Sequence, residues 1–490
     1  MSESVDHAYF LSRRCRSVND STIRRGSGDY VLCWLQQTLR GENNPVIDAA
    51  VALGNSLGLP VVIYHGLEQT HPYASDRLHH FILEASRSLE RDVEARGLKF
   101  VRVIERPARE VKGVVYQLAT RAAALIVDDN AAFVGRWQLQ TVAAKLEKAV
   151  IAVDGARLIP EIALGSFCST TPSFRARVND LRSKWLEEPL GISPTRLTVT
   201  AELAVEHDFI GTDDADITRW VDQCDIDHSL PPVRCCKGDR ASALGRLVWA
   251  AIDVIPQYAE QRNNPARNGV SMLSPYLHFG VLGPHDVARI ASEVDSPRGV
   301  WKYLDELLVW REFFHHVAHH VPVPGRYGAV SRWARESLTA HAGDTREHLY
   351  SLSELIHGRT HDETWNVAQQ QFLVDGWMHN NLRMYWGKRI IGWTRSPEEA
   401  WATACYLNDR LSLDGRDPAT YGNLSWCFGG GRPATEIPVY GKVPRKTDAA
   451  LRRRPGVPDW LSEQARRVIP EVSVPDAIVR VDHPQASGQR

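Results

Sequence analysis

Between residues 30 and 155 five short Val- and Ile-rich runs alternate with stretches of helical periodicity, and no other feature restricts the possible folds so strongly. The runs are DYVLCWL, LPVVIYHGL, LKFVRVI, AALIVDDN and AVIAVDG, and they end in or near Asp, Gly or His. NPVIDAAVALGNSLG and SDRLHHFILEASRSLERDVEARG lie between them with helical spacing. This alternation predicts a parallel sheet joined by crossover helices, a Rossmann-like α/β domain. Ligands on such sheets bind beyond the carboxyl ends of the strands. No G-x-G-x-x-G follows the first strand and no G-x-x-x-x-G-K-[ST] occurs, so a standard dinucleotide or P-loop site is disfavoured.

At 490 residues the chain is too long for one ordinary core. Residues 1–29 read as an N-terminal extension, 30–155 as the α/β domain, and 156–240 as a connector in which Pro, Ser and Thr recur. Residues 241–470 read as all-helical and 471–490 as a loose tail. The 43% hydrophobic and 24% charged residues are those of a soluble globular protein. No run reaches membrane-span length and MSESVDHAYFLSRRCRS lacks a secretory core, so the expectation is a cytoplasmic protein. The eight cysteines form no C-x-x-C pair and suggest neither a disulfide framework nor a metal cluster. A net charge of −1 argues against a globally basic nucleic-acid binder but leaves room for a local basic patch.

Nine of the 15 tryptophans lie between Trp301 and Trp426. The segment GWMHNNLRMYWGKRIIGW, 376–393, reads as one helix carrying three of them. At about 100° per residue, Trp377, Asn380, Asn381, Met384 and Lys388 share one face, and His379, Arg383, Trp386 and Trp393 the other. Neither face is a plain apolar stripe, and buried polar groups need partners, so two ligand-facing sides are expected. In NNPARNGVSMLSPYLHFG, Ser274–Pro275 reads as a helix start with the hydroxyl at the N-cap. With Ser271 nearby it suits a phosphate, although most such starts hold none. In YLDELLVWREFF, Glu306 and Trp310 stand one turn apart. YLNDRLSLDGRDPATYGNLSW gathers Asn408, Asp409, Asp414, Asp417 and Trp426, with Arg410 and Arg416 competing against any metal. HHVAHH, 315–320, has histidines at zinc spacing but no third ligand at a recognisable distance, and GGGRP, 429–433, reads as a turn, so no metal site is expected.

Taken together these segments resemble the photolyase/cryptochrome family, and its class II DNA photolyase branch above all. SMLSPYLHFG looks like the flavin-domain signature, and GWMHNNLRMYWGKRIIGWT, SPEEAW, YLND and LDGRDP follow the class II order and spacing. RGENNPVIDAA is similar to an early segment of the family's antenna domain. The resemblance runs from about residue 30 to 446 and implies an α/β antenna domain followed by an all-α FAD-binding domain. It implies that Ser271, Leu273 and Ser274 hold the FAD diphosphate region with Tyr258 nearby, and that Arg383 and Asp414 pair against the isoalloxazine. Asn408 would lie near flavin N5, with His379 on the flavin face. Trp386, Trp365 and Trp393 match the electron-transfer chain. The implied partner is DNA holding a cyclobutane pyrimidine dimer, flipped out of the duplex. Trp310 and Trp426 would stack on it, Glu306 would hydrogen-bond it, and Arg262 and Asn263 would hold the flipped strand. Trp377, Asn380 and Met384 would line the substrate cavity. Light-driven cleavage of the dimer by reduced FAD is the implied activity, of a monomer, with a second antenna chromophore of open identity.

The chain departs from the family pattern after Trp426. CFGGGRPATEIPVYGKVPRK is shorter than the usual stretch, lacks its Trp, and has Ile437 after Glu436 where the family has Arg. Arg445, Lys446 and Arg452 to Arg454 remain as phosphate contacts. The alternative is a cryptochrome-like photoreceptor, or a repair-impaired paralogue that keeps flavin photoreduction.

Overall fold

The computed structural model describes residues 7–199, 202–267, 269–321, 323–464 and 467–478, apart from the side chain of Phe133. The five expected strands are present: β2 Tyr30–Trp34, β3 Val61–Leu67, β4 Lys99–Ile104, β5 Ala122–Asp128 and β6 Ala149–Val153. A sixth, β1 Cys15–Ser17, precedes them. The order is β1-β6-β5-β2-β3-β4, with every pairing parallel except that of β1 with β6. Residues 7–17 therefore do more than extend the chain: a helix, His7–Arg14, leads into the edge strand. Three residues, CRS, are too short and too polar to show a strand pattern in the sequence. Residues 1–6 and 479–490 of the expected extension and tail lie outside the described residues.

Alternate residues of each strand face different cores. Val31, Cys33, Ile63, Phe100 and Ile126 join a core continuous with the helical half. Leu32, Val62, Val101, Leu125 and Val150 build a second one under the helices Val114–Ala119 and Phe133–Lys145. The sheet is thus covered on both faces, as its near-continuous apolar runs require. Strand order reverses between β2 and β5, and the crevice at their carboxyl ends is the site such sheets offer a ligand. Asp128 closes its floor, accepting Gln36 N–H at 2.8 Å, Gln37 N–H at 3.0 Å and the Thr38 hydroxyl at 2.7 Å.

The stretch read as a connector holds a 16-residue helix, Thr171–Leu186, inside the Pro-, Ser- and Thr-rich segment. Thr170 is its N-cap and Pro172 sits in its first turn. Those residues start a helix rather than break one. From Arg240 onward the named elements are all helical.

Arg77, 1% exposed on the helix Asp76–Ala95, locks the halves together. Its guanidinium donates to Leu411 O at 2.7 Å, Phe372 O at 3.2 Å and also Leu373 O. These carbonyls lie in the last turns of Glu363–Asp375 and Pro397–Leu411, where helices lack internal donors. Arg77→Ala leaves them buried and unpaired, and denaturant unfolding is expected to show a loss of about 2–4 kcal/mol.

Candidate active site

Seven of the expected residues meet in the wall of one cavity in the helical half: Tyr258, Ser271, Leu273, Ser274, Glu306, Arg383 and Asp414. They come from segments more than 150 positions apart. Arg383 and Asp414 form the expected pair, at 3.1 Å, with both side chains nearly buried. Burial alone would raise the Asp414 carboxyl, but Arg383 and the hydroxyls of Ser412 and Ser274 hold it below the ordinary range. Ser274 is not the N-cap. It is the first residue of the helix Ser274–His278, Leu273 is the cap, and the Ser274 hydroxyl is spent on Asp414 instead. Ser271 accepts from the Tyr303 hydroxyl at 3.0 Å, and Tyr303 packs edge-on against Tyr258 at 5.0 Å.

The cavity carboxylates are already paired. Glu306 lies 2.7 Å from Arg262 and 2.6 Å from Lys302. Asp417 lies 3.2 Å from both His278 and His315 and caps the helix Pro418–Cys427. Beside these acids the cavity presents the guanidiniums of Arg311 and Arg383, the hydroxyls of Ser271 and Thr420, the Asn423 amide, and the apolar Leu273, Leu277 and Leu307. That donor set fits a flavin dinucleotide: cations and donors for a diphosphate, apolar walls for flat rings. An orphaned atom in the wall agrees: Arg383 Nε has no protein partner among the described residues; Oδ1 of Asn408, fully buried but outside the wall, has none either.

The segment 376–393 is not one helix. Gly376, at φ 59°, ends the helix Glu363–Asp375, and the next runs from Asn380 to Ile391. Trp377 precedes it, Trp393 follows it, and His379 is its N-cap, accepting from Asn381 N–H at 3.2 Å. A glycine in the left-handed region stops a helix more firmly than the apolar spacing continues it. The expected two-faced helix is corrected accordingly. Lys388 is buried and donates to Cys427 O at 2.9 Å, and Asn381 donates to Asn263 O at 2.8 Å. Asn380 is exposed, Met384 packs on Cys427 at 3.7 Å, and neither these nor Trp377 belongs to the cavity wall. His379 Nε2 lies 3.1 Å from Arg262 O, so Arg262, Asn263, His379 and Asn381 form one brace behind Glu306. Burial holds the His379 imidazole down to about 4, so it is neutral there.

Trp386, Trp365 and Trp393 form a continuous path, in that order. The ring planes of Trp386 and Trp365 are parallel within 3°, their centroids 6.3 Å apart, and Trp393 meets Trp365 edge-on at 5.2 Å. Trp310 and Trp426 also pair, at 5.5 Å and 75°. Glu306 and Trp310 stand on Asp305–Arg311, a π-helical turn rather than the α-helical one expected, and an extra residue per turn is a device found at functional sites. Asp417, Tyr303, Thr420 and Asn423 were missed as site residues; only Asp417 carried a signal, as the N-cap before Pro418.

HHVAHH does acquire a third partner, Glu161, from 155 residues away, correcting the expectation of none. His316 Nε2 accepts Cys168 N–H at 2.8 Å, which puts the ring proton on Nδ1, facing Glu161. Glu161 is also paired with Arg157. A metal there would have to displace both the proton and the guanidinium.

A second cavity, of about 210 Å³, opens at the switch point of the sheet, between the strand ends at Trp34, His65 and Glu68 and the helical residues His278, Phe279, Arg416 and Pro418. The two cavities are separated by one layer of chain: Leu277 and Asp417 face the first, their neighbours the second.

Comparison with known proteins gives consistent likenesses. The DNA photolyase family profile matches residues 31–162. A deoxyribodipyrimidine photo-lyase from Methanothermobacter thermautotrophicus is 30% identical, covering 90% of this chain and 96% of its own. Among solved structures, a class III photolyase from Agrobacterium tumefaciens superposes with a TM-score of 0.63 at 20% identity, covering 86% of this chain and 82% of its own. A Synechocystis cryptochrome does so with a TM-score of 0.59 at 18% identity, covering 85% of each.

Proposed function

Since the chain belongs to the photolyase/cryptochrome family, we propose that it cleaves cyclobutane pyrimidine dimers in DNA by light-driven electron transfer from reduced FAD, in the manner of the class II branch. The enzyme class, deoxyribodipyrimidine photo-lyase, follows from 30% identity to the Methanothermobacter relative, 96% of which is covered. Bound and reduced, FAD supplies the excited electron donor. Ser271, Leu273, Ser274 and Tyr258 would hold its diphosphate side, Arg383 and Asp414 would face its ring, and His379 and Asn408, neither of them in the cavity wall, would support that side of it. The flipped dimer stacks on Trp310 and Trp426, as bases do on aromatic platforms. Glu306 would accept hydrogen bonds from the dimer, and the Arg262 and Lys302 cations that it holds would oppose the negative charge developing there. Asn263 braces the same wall.

One observation carries the repair reading. The elements Asp305–Arg311 and Pro418–Cys427 wall the cofactor cavity through Glu306, Leu307, Arg311, Thr420 and Asn423, and they also present Trp310 and Trp426 as a ring pair. A dimer on those rings would be held by the same two elements that wall the cavity. The second cavity is the proposed seat of an antenna chromophore. No helix among the described residues is long and apolar enough to cross a membrane. The readings as a monomer and as a cytoplasmic protein stay part of the proposal.

A photoreceptor without repair is the second reading, favoured by the segment after Trp426. Glu436 is engaged by His341 at 3.0 Å, and Gly430 and Gly431 lie directly on Trp426. A Cβ on Gly430 would meet Trp426 Cγ at 3.0 Å and its backbone Cα at 2.9 Å. Gly430→Ala is therefore expected to turn the Trp426 ring and lower dimer affinity about tenfold, or about 1.4 kcal/mol, with the flavin spectrum unchanged. Binding of a dimer-containing oligonucleotide, compared with an undamaged one, measures it.

The deciding experiment uses dark-purified, reduced, FAD-bound protein illuminated with an oligonucleotide holding one thymine dimer. Light-dependent recovery of thymine absorbance supports repair. Flavin photoreduction without recovery supports the photoreceptor.

A further inference from the structure

The segment after Trp426 runs as a strap along one helix, Arg332–Ala340. Glycines let its two ends come close: a Cβ on Gly429 would strike Ala334, and one on Gly441 would strike Ser337. The Ser331 hydroxyl donates to Gly429 O at 3.2 Å, and the Ser337 hydroxyl accepts Lys442 N–H at 2.8 Å. Between these points a tight hairpin pairs Ile437 with Gly441. Val439 stands in its turn at φ 68°, a conformation that a β-branched residue rarely adopts and that its neighbours must hold. Asp344 Oδ2 does so, accepting Val439 N–H at 2.8 Å. His341, the C-cap of the helix, closes the strap. Its Nδ1 lies 2.6 Å from Asp344 Oδ2 and its Nε2 3.0 Å from Glu436 Oε1. A carboxylate against each ring nitrogen calls for a proton on both, so the imidazolium satisfies the two contacts and a neutral ring only one. We propose that His341 is a positioning residue of the damage-binding face: its imidazolium clips the strap to the helix and so keeps Gly430 and Gly431 seated on Trp426. This rests on the reading of Trp426 as a platform for the dimer.

The link from clip to ring is short. Residues 432–436 are exposed, and Ala434 N–H bonds within the strap, to Lys442 O at 2.9 Å. The stretch from Gly431 to Glu436 therefore takes its position from the contacts at its ends. Released at Glu436, it passes its motion to the glycines against Trp426, and a ring that must be re-ordered on binding loses affinity. The charged groups about His341 are Asp344 and Glu436 on its ring, Lys442 at 4.0 Å from Glu436, and Arg346, whose charge reaches Asp344. The end of a helix, with its unpaired carbonyls, favours a cation as well. Glu436 and Asp344 raise the imidazole above its ordinary value. The clip is therefore fully present below the unfolded pKa, about 6.5, and is lost as pH rises through the higher folded value. Dimer affinity falls with it.

The test titrates full-length, FAD-bound protein in the dark with an oligonucleotide holding one thymine dimer and with its undamaged counterpart, at fixed salt, from about pH 6 to about pH 8.5. The ratio of the two affinities removes the general effect of pH on DNA binding. In the unaltered chain this ratio is expected to fall about two- to fivefold as the pH rises, the effect of one partly exposed ion pair. His341→Gln, which cannot carry the charge, is expected to show the low ratio throughout. His341→Arg, a cation that can donate to both carboxylates at every pH, is expected to show the high one. Hydrogen–deuterium exchange of 429–442 without DNA reads the clip itself: at about pH 6 it is expected to quicken in His341→Gln and not in His341→Arg. Equal exchange in the three proteins, a ratio in the unaltered chain that does not change with pH, or a pH dependence that survives in His341→Gln overturns the proposal. If exchange differs as expected but no protein prefers the dimer at any pH, the platform reading of Trp426 is what fails, and the positioning role falls with it.

Discussion

Trp386→Phe is expected to slow light-driven reduction of bound FAD at least about a hundredfold, equivalent to about 2.7 kcal/mol on the barrier. Trp386 stands at the end of the path opposite Trp393, fully buried and stacked parallel to Trp365. Phenylalanine fills most of its volume but is far harder to oxidise, so the electron must cross the gap from Trp365 in one step. The substitution also removes the indole N–H that donates to Gln369 Oε1 at 2.8 Å. An orphaned buried amide costs about 1–3 kcal/mol, so thermal unfolding must accompany the photoreduction measurement. Trp377→Phe is the control: Trp377 lies before the helix and its recorded ring neighbour is His379, so photoreduction should persist. Equal photoreduction rates in both variants would reduce the three indoles to packing.

The strands were legible because a parallel sheet buries both faces and writes each strand as an apolar run. β1 was not, since CRS owes its place to pairing with β6, 136 positions later, and not to its own composition. The cavity residues were legible through linked motifs, and Arg383 and Asp414 met as expected. What failed was local geometry. The periodicity of 376–393 overran Gly376, and LDELLVWREFF gave no sign that its turn is wider than an α-helix. Pairings across the fold were silent too. Nothing near HHVAHH announces Glu161, and nothing near Glu306 announces Arg262. Such partners follow from the packed fold, because a buried charge selects whatever opposite charge the fold brings to it.

Arg383→Ala is expected to strip FAD from the protein during purification and to lower stability by about 3–5 kcal/mol, the cost of leaving one member of a buried pair alone. Asp414 would keep the hydroxyls of Ser412 and Ser274 but lose its cation. The pH dependence follows from the sign of the shift. In the unaltered chain the Asp414 carboxyl is held below its ordinary value, so its contribution is full above the unfolded pKa, about 3.9, and is lost only as pH falls through the lower folded value. In the variant, burial without Arg383 pushes the same carboxyl upward. It then opposes folding at neutral pH, and protonation relieves it. The stability gap between the two proteins should be widest near neutrality and close as the pH falls below about 4. Arg383→Ala combined with Asp414→Asn should unfold at less than the summed cost of the two single changes, because no unpaired charge remains. Additive losses, with a gap that does not change with pH, would mean that the pair at 3.1 Å contributes nothing beyond its two separate side chains.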